Sequence, residues 1–346
     1  MSTINAAIND THTKDDNNFV NEIEITVLIT SITQREITIE TAQYYSNICT
    51  EVIVVDEQAP HLEGTDIKDL NERGITYIPY KDGSDQSLSS TYEKRLIAAN
   101  HSNNKYLVHS NHDERYTYHG LTACIIELEN DKKLTFCSGQ CIAVRKNNQG
   151  IYFTRSYKNL SGYENINQVD KRTYYHAEKY APIGHYGVWR RDAYITASEK
   201  TVLIHNQLPS LTMMEEVIFE LAADLSGNSK AVPELFWIRN RINENSGISI
   251  QKGDLILKTI KNKLHALFGN LDIQIEVIMT NLCFSHFAFL QSSLFDKFII
   301  FLKRKARFFI KKKEIHNVNI LLNREKITYK KDDLSNVLKS MSSLLS

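Results

Sequence analysis

Glu215, Glu216 and Glu220 lie in a stretch, Thr212 to Leu225, whose apolar residues Met213, Val217, Ile218, Leu221 and Leu225 fall at helical spacing. Glu216 and Glu220 are one helical turn apart and share a face. The apolar stripe passes beside Glu220, so burial is expected to raise its pKa, which suits a general base. Arg35, Arg95, Arg190 and Arg191 carry guanidinium forks that match a phosphate group bidentately. A polar cluster from Ser110 to Arg115 contains His112, Asp113 and Glu114, two carboxylates beside an imidazole. His109, His112 and His119 are spaced as for a metal cluster, but no cysteine or fourth ligand accompanies them, so zinc is not expected.

These groups need a scaffold, and the apolar runs supply one. Ile25–Thr30, Glu51–Asp56, Ile75–Ile78 and Lys105–His109 read as strands, the first, second and fourth continuously apolar at their centres. Helical spacing fills residues 35–47 and Ser90–Asn100, the latter with Tyr92, Leu96 and Ala99 on one side. Alternating strands and helices, with apolar strands, predict a parallel sheet covered on both faces. Ligands of such sheets bind at the carboxyl ends of the strands. Here those ends carry Thr30 and Ser31, Asp56 and Glu57, and the cluster at 110–115. No Gly-x-Gly-x-x-Gly and no Gly-x-x-x-x-Gly-Lys occurs, which excludes the usual dinucleotide and P-loop phosphate cradles. Residues 134–205 read as short strands and loops rich in Tyr, Arg and His, and residues 251–346 as mostly helical.

The chain has 346 residues, 41 Lys and Arg against 41 Asp and Glu, and 42 % hydrophobic residues, a composition that excludes wholesale disorder and a disulfide-stapled mini-protein. Residues 1–20 are polar and are expected to be disordered. Five cysteines, one of them Cys283, read as buried free thiols of a reducing cytosol. There is no signal pattern at the start, and no apolar run reaches the ~18 residues of a spanning helix.

The order of features resembles the bacterial GT-A glycosyltransferases of the family-two type, as found in surface-polysaccharide clusters. The segments that carry the resemblance are Ile25-Thr26-Val27-Leu28-Ile29-Thr30-Ser31 with Arg35, Val52-Ile53-Val54-Val55-Asp56, and Tyr92-Glu93-Lys94-Arg95-Leu96. Asn104 to Val108 leads into His112-Asp113-Glu114, and Tyr186-Gly187-Val188-Trp189-Arg190 and Glu220-Leu221 before Gly227 complete the set, over residues 24–240. The resemblance implies an α/β GT-A-like fold, a mixed, mainly parallel sheet flanked by helices, over residues 21–250. It implies transfer of a sugar from a nucleotide-sugar donor to a saccharide or lipid-linked acceptor in surface-glycan assembly. Thr30, Ser31, Arg35, Asp56, Arg95 and Arg190 would then bind the donor. Such enzymes end the fourth strand with Asp-x-Asp or Asp-Asp-Asp, which holds Mg²⁺ or Mn²⁺ against the diphosphate. This chain has His112-Asp113-Glu114 there, anchored on Gly120-Leu121, so a divalent ion would rest on Asp113 and Glu114 with His112. The altered motif equally suits a metal-independent donor, or a catalytically degenerate scaffold that binds a glycan, a nucleotide or a partner enzyme. Without a metal, His185 and the arginines would neutralise the leaving phosphate. Glu216, with Glu220 second, would be the base beside Asp113, and direct displacement would invert the anomeric carbon.

The zero net charge conceals an asymmetry. Residues from 251 onward carry 17 Lys and Arg against 8 Asp and Glu, and the first 250 carry 24 against 33. Lys303, Arg304, Lys305, Arg307, Lys311, Lys312 and Lys313 follow one another with no acid among them. Leu294, Phe298, Phe301, Leu302 and Phe309 fall at helical spacing in the same segment, 294–313. That pattern fits a helix lying in an anionic membrane interface. The expected location is therefore the cytoplasm, peripheral at the inner face of the plasma membrane. Nucleic-acid binding is not expected, since interleaved stacking aromatics and a recognised nucleic-acid fold are missing. A nucleotidyltransferase would want a Gly-rich loop after the first strand, and residues 31–35 contain no glycine.

Overall fold

The computed structural model describes residues 23–31, 34–80, 91–157, 160, 166–178, 181–207, 215–242 and 315–342. The expected disorder of 1–20, the division at 250/251, the segment 294–313 and Cys283 lie outside the described residues.

Strand β1 (Ile23–Ser31) buries Ile25, Val27, Leu28 and Ile29, residues from both of its faces, so an unbroken apolar run marks it. It pairs in parallel with β2 (Cys49–Asp56) on one side and β4 (Tyr106–Ser110) on the other, and β2 pairs in parallel with β3 (Ile75–Pro79). Helices α1 (Arg35–Ser46), α2 (Thr65–Glu72) and α3 (Thr91–His101) make the crossovers. The march of strands reverses at β1, which leaves a crevice at the carboxyl ends of β1 and β4.

Beyond β4 the sheet becomes mixed. Strand β8 (Val188–Arg190) runs antiparallel to both β4 and β6 (Leu134–Asn147). Strand β9 (Asn228–Asn240) runs parallel to β6, and β5 (Glu114–Tyr116) closes the edge antiparallel to β9. Strand β7 (Gly150–Ser156) pairs with β6 off this path. The order is 3-2-1-4-8-6-9-5, the expected mixed, mostly parallel sheet flanked by helices. The remaining helices are α4 (Tyr118–Asn130), α5 (Val169–Glu178), α6 (Arg191–Gln207), α7 (Glu215–Ser226), α8 (Val318–Arg324) and α9 (Lys331–Ser340).

The stretch 134–205 differs from its sequence reading. It contains the 14-residue β6 and the 17-residue α6. Buried Tyr194, Ala197, Ser198, Thr201, Ile204 and His205 form the inner stripe of α6. Half of that stripe is Ser, Thr and His, so it lacks the hydrophobic contrast that periodicity needs. In α3 the buried side includes Lys94 and Arg95, while Leu96 is half-buried.

Helices α8 and α9 bury Val318, Leu321, Leu322, Leu334, Val337 and Leu338 against Ile142, Val144, Phe153, Leu235 and Ile238 of β6, β7 and β9. Residues 315–342 thus complete the core over the mixed half of the sheet. Cys49, Cys124, Cys137 and Cys141 are buried and unbridged. Among the described residues no helix is long and apolar enough to cross a membrane.

Candidate active site

The β2 tip is a closed network. Asp56 is fully buried; its Oδ2 accepts Tyr77 OH and Arg35 Nε, each at 2.6 Å, and its Oδ1 accepts Gln58 N at 3.1 Å. Arg35 also donates to Gln58 O. Arg35 and Asp56, expected as separate donor contacts, therefore bind each other and order the loop after β2. Held by a buried carboxylate and a carbonyl, the guanidinium braces this loop. Thr30 and Ser31 are buried beside it, and Ser31 sits opposite Asp56 in the parallel register. Below the tip Lys94 Nζ lies 2.5 Å from Glu57 Oε2, with both side chains almost fully buried.

The β4 tip carries a second chain of contacts. Arg95 Nη2 donates to Asn111 Oδ1 at 3.2 Å, and its guanidinium lies 4.9 Å from the Tyr92 ring centroid. Asn111 Nδ2 donates to Glu114 Oε2 at 3.3 Å. Glu114 Oε1 lies 2.5 Å from Arg239 Nε, and the two residues are directly opposite across the β5–β9 pair. Burial raises the Glu114 carboxyl to about 7, and Arg239 limits the rise. Arg239 Nη1 donates to Tyr157 OH, and the guanidinium lies 5.6 Å from the Tyr157 ring and 5.0 Å from the Tyr186 ring. Tyr157 has φ +47°, the left-handed region that a tyrosine seldom adopts. Gly120 secures the register. A Cβ there would sit 2.6 Å from Leu235 O, so only glycine lets the start of α4 touch β9.

His112 and Asp113 lie in the turn between β4 and β5, half-buried. His112 O accepts Thr41 Oγ1 at 2.7 Å, and Asp113 O accepts Asn240 N at 3.3 Å. Among the described residues no three His, Cys, Asp or Glu side chains are grouped to hold a metal ion. The expected set of His112, Asp113 and Glu114 does not fit a divalent cation. Glu114 is turned into the sheet, with a guanidinium on one oxygen and an amide on the other.

The opposite wall comes from α7 and the segment 181–187. Glu220 is fully buried; its Oε2 accepts Gly184 N at 3.0 Å and its Oε1 accepts His185 N at 2.5 Å. Burial pushes its pKa to about 8, with Glu216 adding to the rise. The raised pKa agrees with the sequence reading, but the carboxylate is spent on backbone N–H groups and not aimed at an acceptor. His176 stands 3.5 Å from Glu220 and 3.0 Å from Asp224. Burial lowers the His176 pKa, but Asp224 and Glu220 outweigh it and bring the imidazole to about 9. His185 is buried, its Nδ1 2.5 Å from Tyr92 OH, and burial and Arg95 drive its pKa well down.

Tyr186 joins the two walls. Burial raises its pKa, then Glu114 and Glu216 raise it further, while Arg239 opposes them. Glu114, Arg239 and Glu216 thus act on one hydroxyl. Glu216 is half-buried, one turn before Glu220, and its charge is felt also at Tyr157 and Tyr92.

Arg190 is not brought to this group. It pairs with Tyr106 at the amino end of β4, where its guanidinium donates to Leu134 O at 2.9 Å and to Leu128 O. Arg191 donates to Ala99 O at 3.2 Å in the same region. Strand β8 runs antiparallel to β4, which carries both arginines away from the carboxyl ends. A cleft of about 820 Å³ lined by Glu40, Tyr44, Cys49, Arg73 and Ser340 also opens at the wrong end, beside the starts of β2 and β3.

Arg239, Asn111, Tyr157 and the Lys94–Glu57 pair escaped the sequence reading. Arg239 becomes visible only once β9 is paired with β5, and the sequence holds no signal for that pairing beyond an apolar run, Leu235 to Ile238.

No family model matches the chain, and no curated protein does. Among solved structures it is similar to S. aureus TarS 1-349, at TM-score 0.49 and 12 % identity over 80 % of this chain and 77 % of that one. It is similar to the same protein in complex with UDP-GlcNAc, at 0.48 and 12 % over 80 % and 78 %. It is similar also to the complex with UDP, at 0.49 and 11 % over 93 % and 91 %. A likeness this distant decides neither family nor chemistry.

Proposed function

We propose that the chain is a glycosyltransferase that moves a sugar from a nucleotide-sugar donor to the hydroxyl of a saccharide acceptor. The observation that carries this reading is the Glu114–Arg239 pair, its guanidinium against the Tyr157 and Tyr186 rings, just beyond the carboxyl end of β4. Glycosyl transfer needs a cation for the departing phosphate, a base for the acceptor hydroxyl and a fixed line of attack between them. Arg239 supplies the cation and Glu216 the base. The half-buried Tyr157 ring, 5.6 Å from the Arg239 guanidinium, is the apolar surface for a sugar. The nucleoside lies toward Thr30, Ser31 and the loop braced by Asp56 and Arg35. Glu220 positions His185 through its backbone, so Glu216 rather than Glu220 takes the proton. Displacement with a separate base inverts the anomeric carbon. The acceptor is lipid-linked, and the chain works in surface-glycan synthesis at the cytoplasmic face of the membrane, on the strength of the basic segment 303–313 and the family resemblance.

The test is thermal shift with UDP, GDP, CDP and CMP, followed by turnover with the matching nucleotide sugar. Binding to the native state must raise the melting point. One nucleotide should do so. UDP and UDP-GlcNAc, held by the S. aureus TarS structures, are natural first probes. If none shifts the transition, the donor site does not exist and the degenerate-scaffold alternative takes its place.

A further inference from the structure

We propose that Arg239 is the resident cation of this site, so that the chain binds its donor and releases the phosphate leaving group without a divalent metal. The inference rests on the glycosyltransferase reading and fixes how that site handles charge.

Three observations carry it. Glu114 is the buried carboxylate of the acidic turn, and both of its oxygens are already met. Oε1 faces Arg239 Nε at 2.5 Å and Oε2 accepts Asn111 Nδ2 at 3.3 Å. Mg²⁺ or Mn²⁺ would need those same oxygens at close to 2 Å. It would also have to sit against a buried guanidinium, whose repulsion is strong in a poorly solvated site. Exposure then tells which partner a ligand can reach. The Glu114 side chain is 2 % exposed and that of Arg239 14 %, so the pair presents its cation and hides its anion. Lastly, Arg239 is held rigidly. Glu114 fixes one edge of the fork, Tyr157 OH accepts Nη1, and the Tyr157 and Tyr186 rings flank it. A guanidinium positioned in advance loses little freedom when it takes up a phosphate.

The step balances without a further reactant. The bond between the anomeric carbon and the donor phosphate oxygen breaks, and its electron pair leaves with the phosphate, where the new negative charge meets Arg239. The acceptor oxygen forms its bond to the anomeric carbon, and its proton passes to the Glu216 carboxylate.

The test uses the full chain in two measurements. Nucleotide affinity is read by calorimetry for UDP, GDP, CDP and CMP, in EDTA and in Mn²⁺. Mn²⁺ binding is read directly from the loss of the free-ion electron paramagnetic resonance signal. The expected result is one nucleotide bound equally well in EDTA and in Mn²⁺, with the free Mn²⁺ signal undiminished. In EDTA, Arg239→Lys should weaken that nucleotide roughly tenfold, and Arg239→Gln up to about a hundredfold, since a charged hydrogen bond is lost. Circular dichroism checks that each variant is folded, and the wild-type comparison needs no variant. Nucleotide binding that requires Mn²⁺, or stoichiometric uptake of Mn²⁺ by the wild-type chain, would overturn the inference and leave the glycosyltransferase reading standing. Unchanged affinity in a folded Arg239→Gln would overturn it too. No nucleotide bound under either condition removes the glycosyltransferase reading itself, and the inference with it.

Discussion

Glu216 and Glu220 look equivalent along the sequence, and burial separates them. Glu220 is fully enclosed and accepts two backbone N–H groups from Gly184 and His185. Glu220→Gln would oppose one of those donors with an amide N–H₂, leaving a buried donor unmet at a cost of about 1–3 kcal/mol. A urea melt of Glu220→Gln should show that loss. Glu216→Gln, at a half-buried site, should lose less stability than Glu220→Gln. It should lower turnover about 10²- to 10⁴-fold, the usual worth of a general base. Similar stabilities for the two variants would mean that the division of labour is wrong. The sequence placed both glutamates on one helix face correctly, yet gave no sign that the residues following Pro182 would take up one of them.

The same residues set a pH dependence. The pKa of His176 is raised to about 9 and that of Glu220 to about 8, so the folded chain binds protons there that the unfolded chain has released. Stability from a raised pKa is complete below the unfolded value, about 6.5 for His and about 4.3 for Glu, and is lost as pH climbs through the folded value. The buried His109 and His185 have lowered pKa values and act only as pH falls through about 6.5. Between pH 7 and 9 the raised pair is therefore unopposed by them, and the melting point should fall across that window. In His176→Gln the fall should be shallower. A melting point that rises from pH 7 to 9 would reverse the assigned signs.

At the scale of elements, the parallel half was legible because β1, β2 and β4 are buried on both faces and read as plain apolar runs. The mixed half was not. Its long strand β6 is interrupted by Ser138, Gly139 and Gln140, where its register with β9 shifts, and the inner stripe of α6 is built from small and polar residues. The Glu114–Arg239 pair depends on that half, so the chemistry at the acidic turn could be only partly read. One element joins the late chain to the site. Asp333 of α9 accepts Tyr118 N at 3.0 Å and His119 N at 2.8 Å, while Thr117 caps Gly120 N at 3.0 Å. Together they satisfy the first three N–H groups of α4, the helix that begins just after β5. Asp333→Ala should cost about 1 kcal/mol, as for loss of a helix cap. Asp333→Asn, which keeps an acceptor, should cost less. Hydrogen exchange should locate the loss at the start of α4, and a uniform loss across the sheet would refute a local cap.

At the scale of the whole molecule, the chain leaves the sheet and returns to it at one place. Arg241 N donates to Val144 O at 2.8 Å just before residue 243, and Ile315 bridges to Phe153, the cross-strand partner of Val144. Residues 243–314 join these two points in the sequence. They contain the seven cations of 303–313, while the first 250 residues carry an acidic excess. Near an anionic leaflet each cation would contribute about 1 kcal/mol of attraction. The chain should therefore sediment with phosphatidylserine vesicles and not with phosphatidylcholine vesicles. Binding should weaken steeply as salt shortens the Debye length below about 8 Å. Replacing the seven cations by Gln should abolish it. Equal binding to both kinds of vesicle would show that apolar insertion, not charge, holds the chain. No binding to either would leave a soluble saccharide as the acceptor and remove the membrane from the reading.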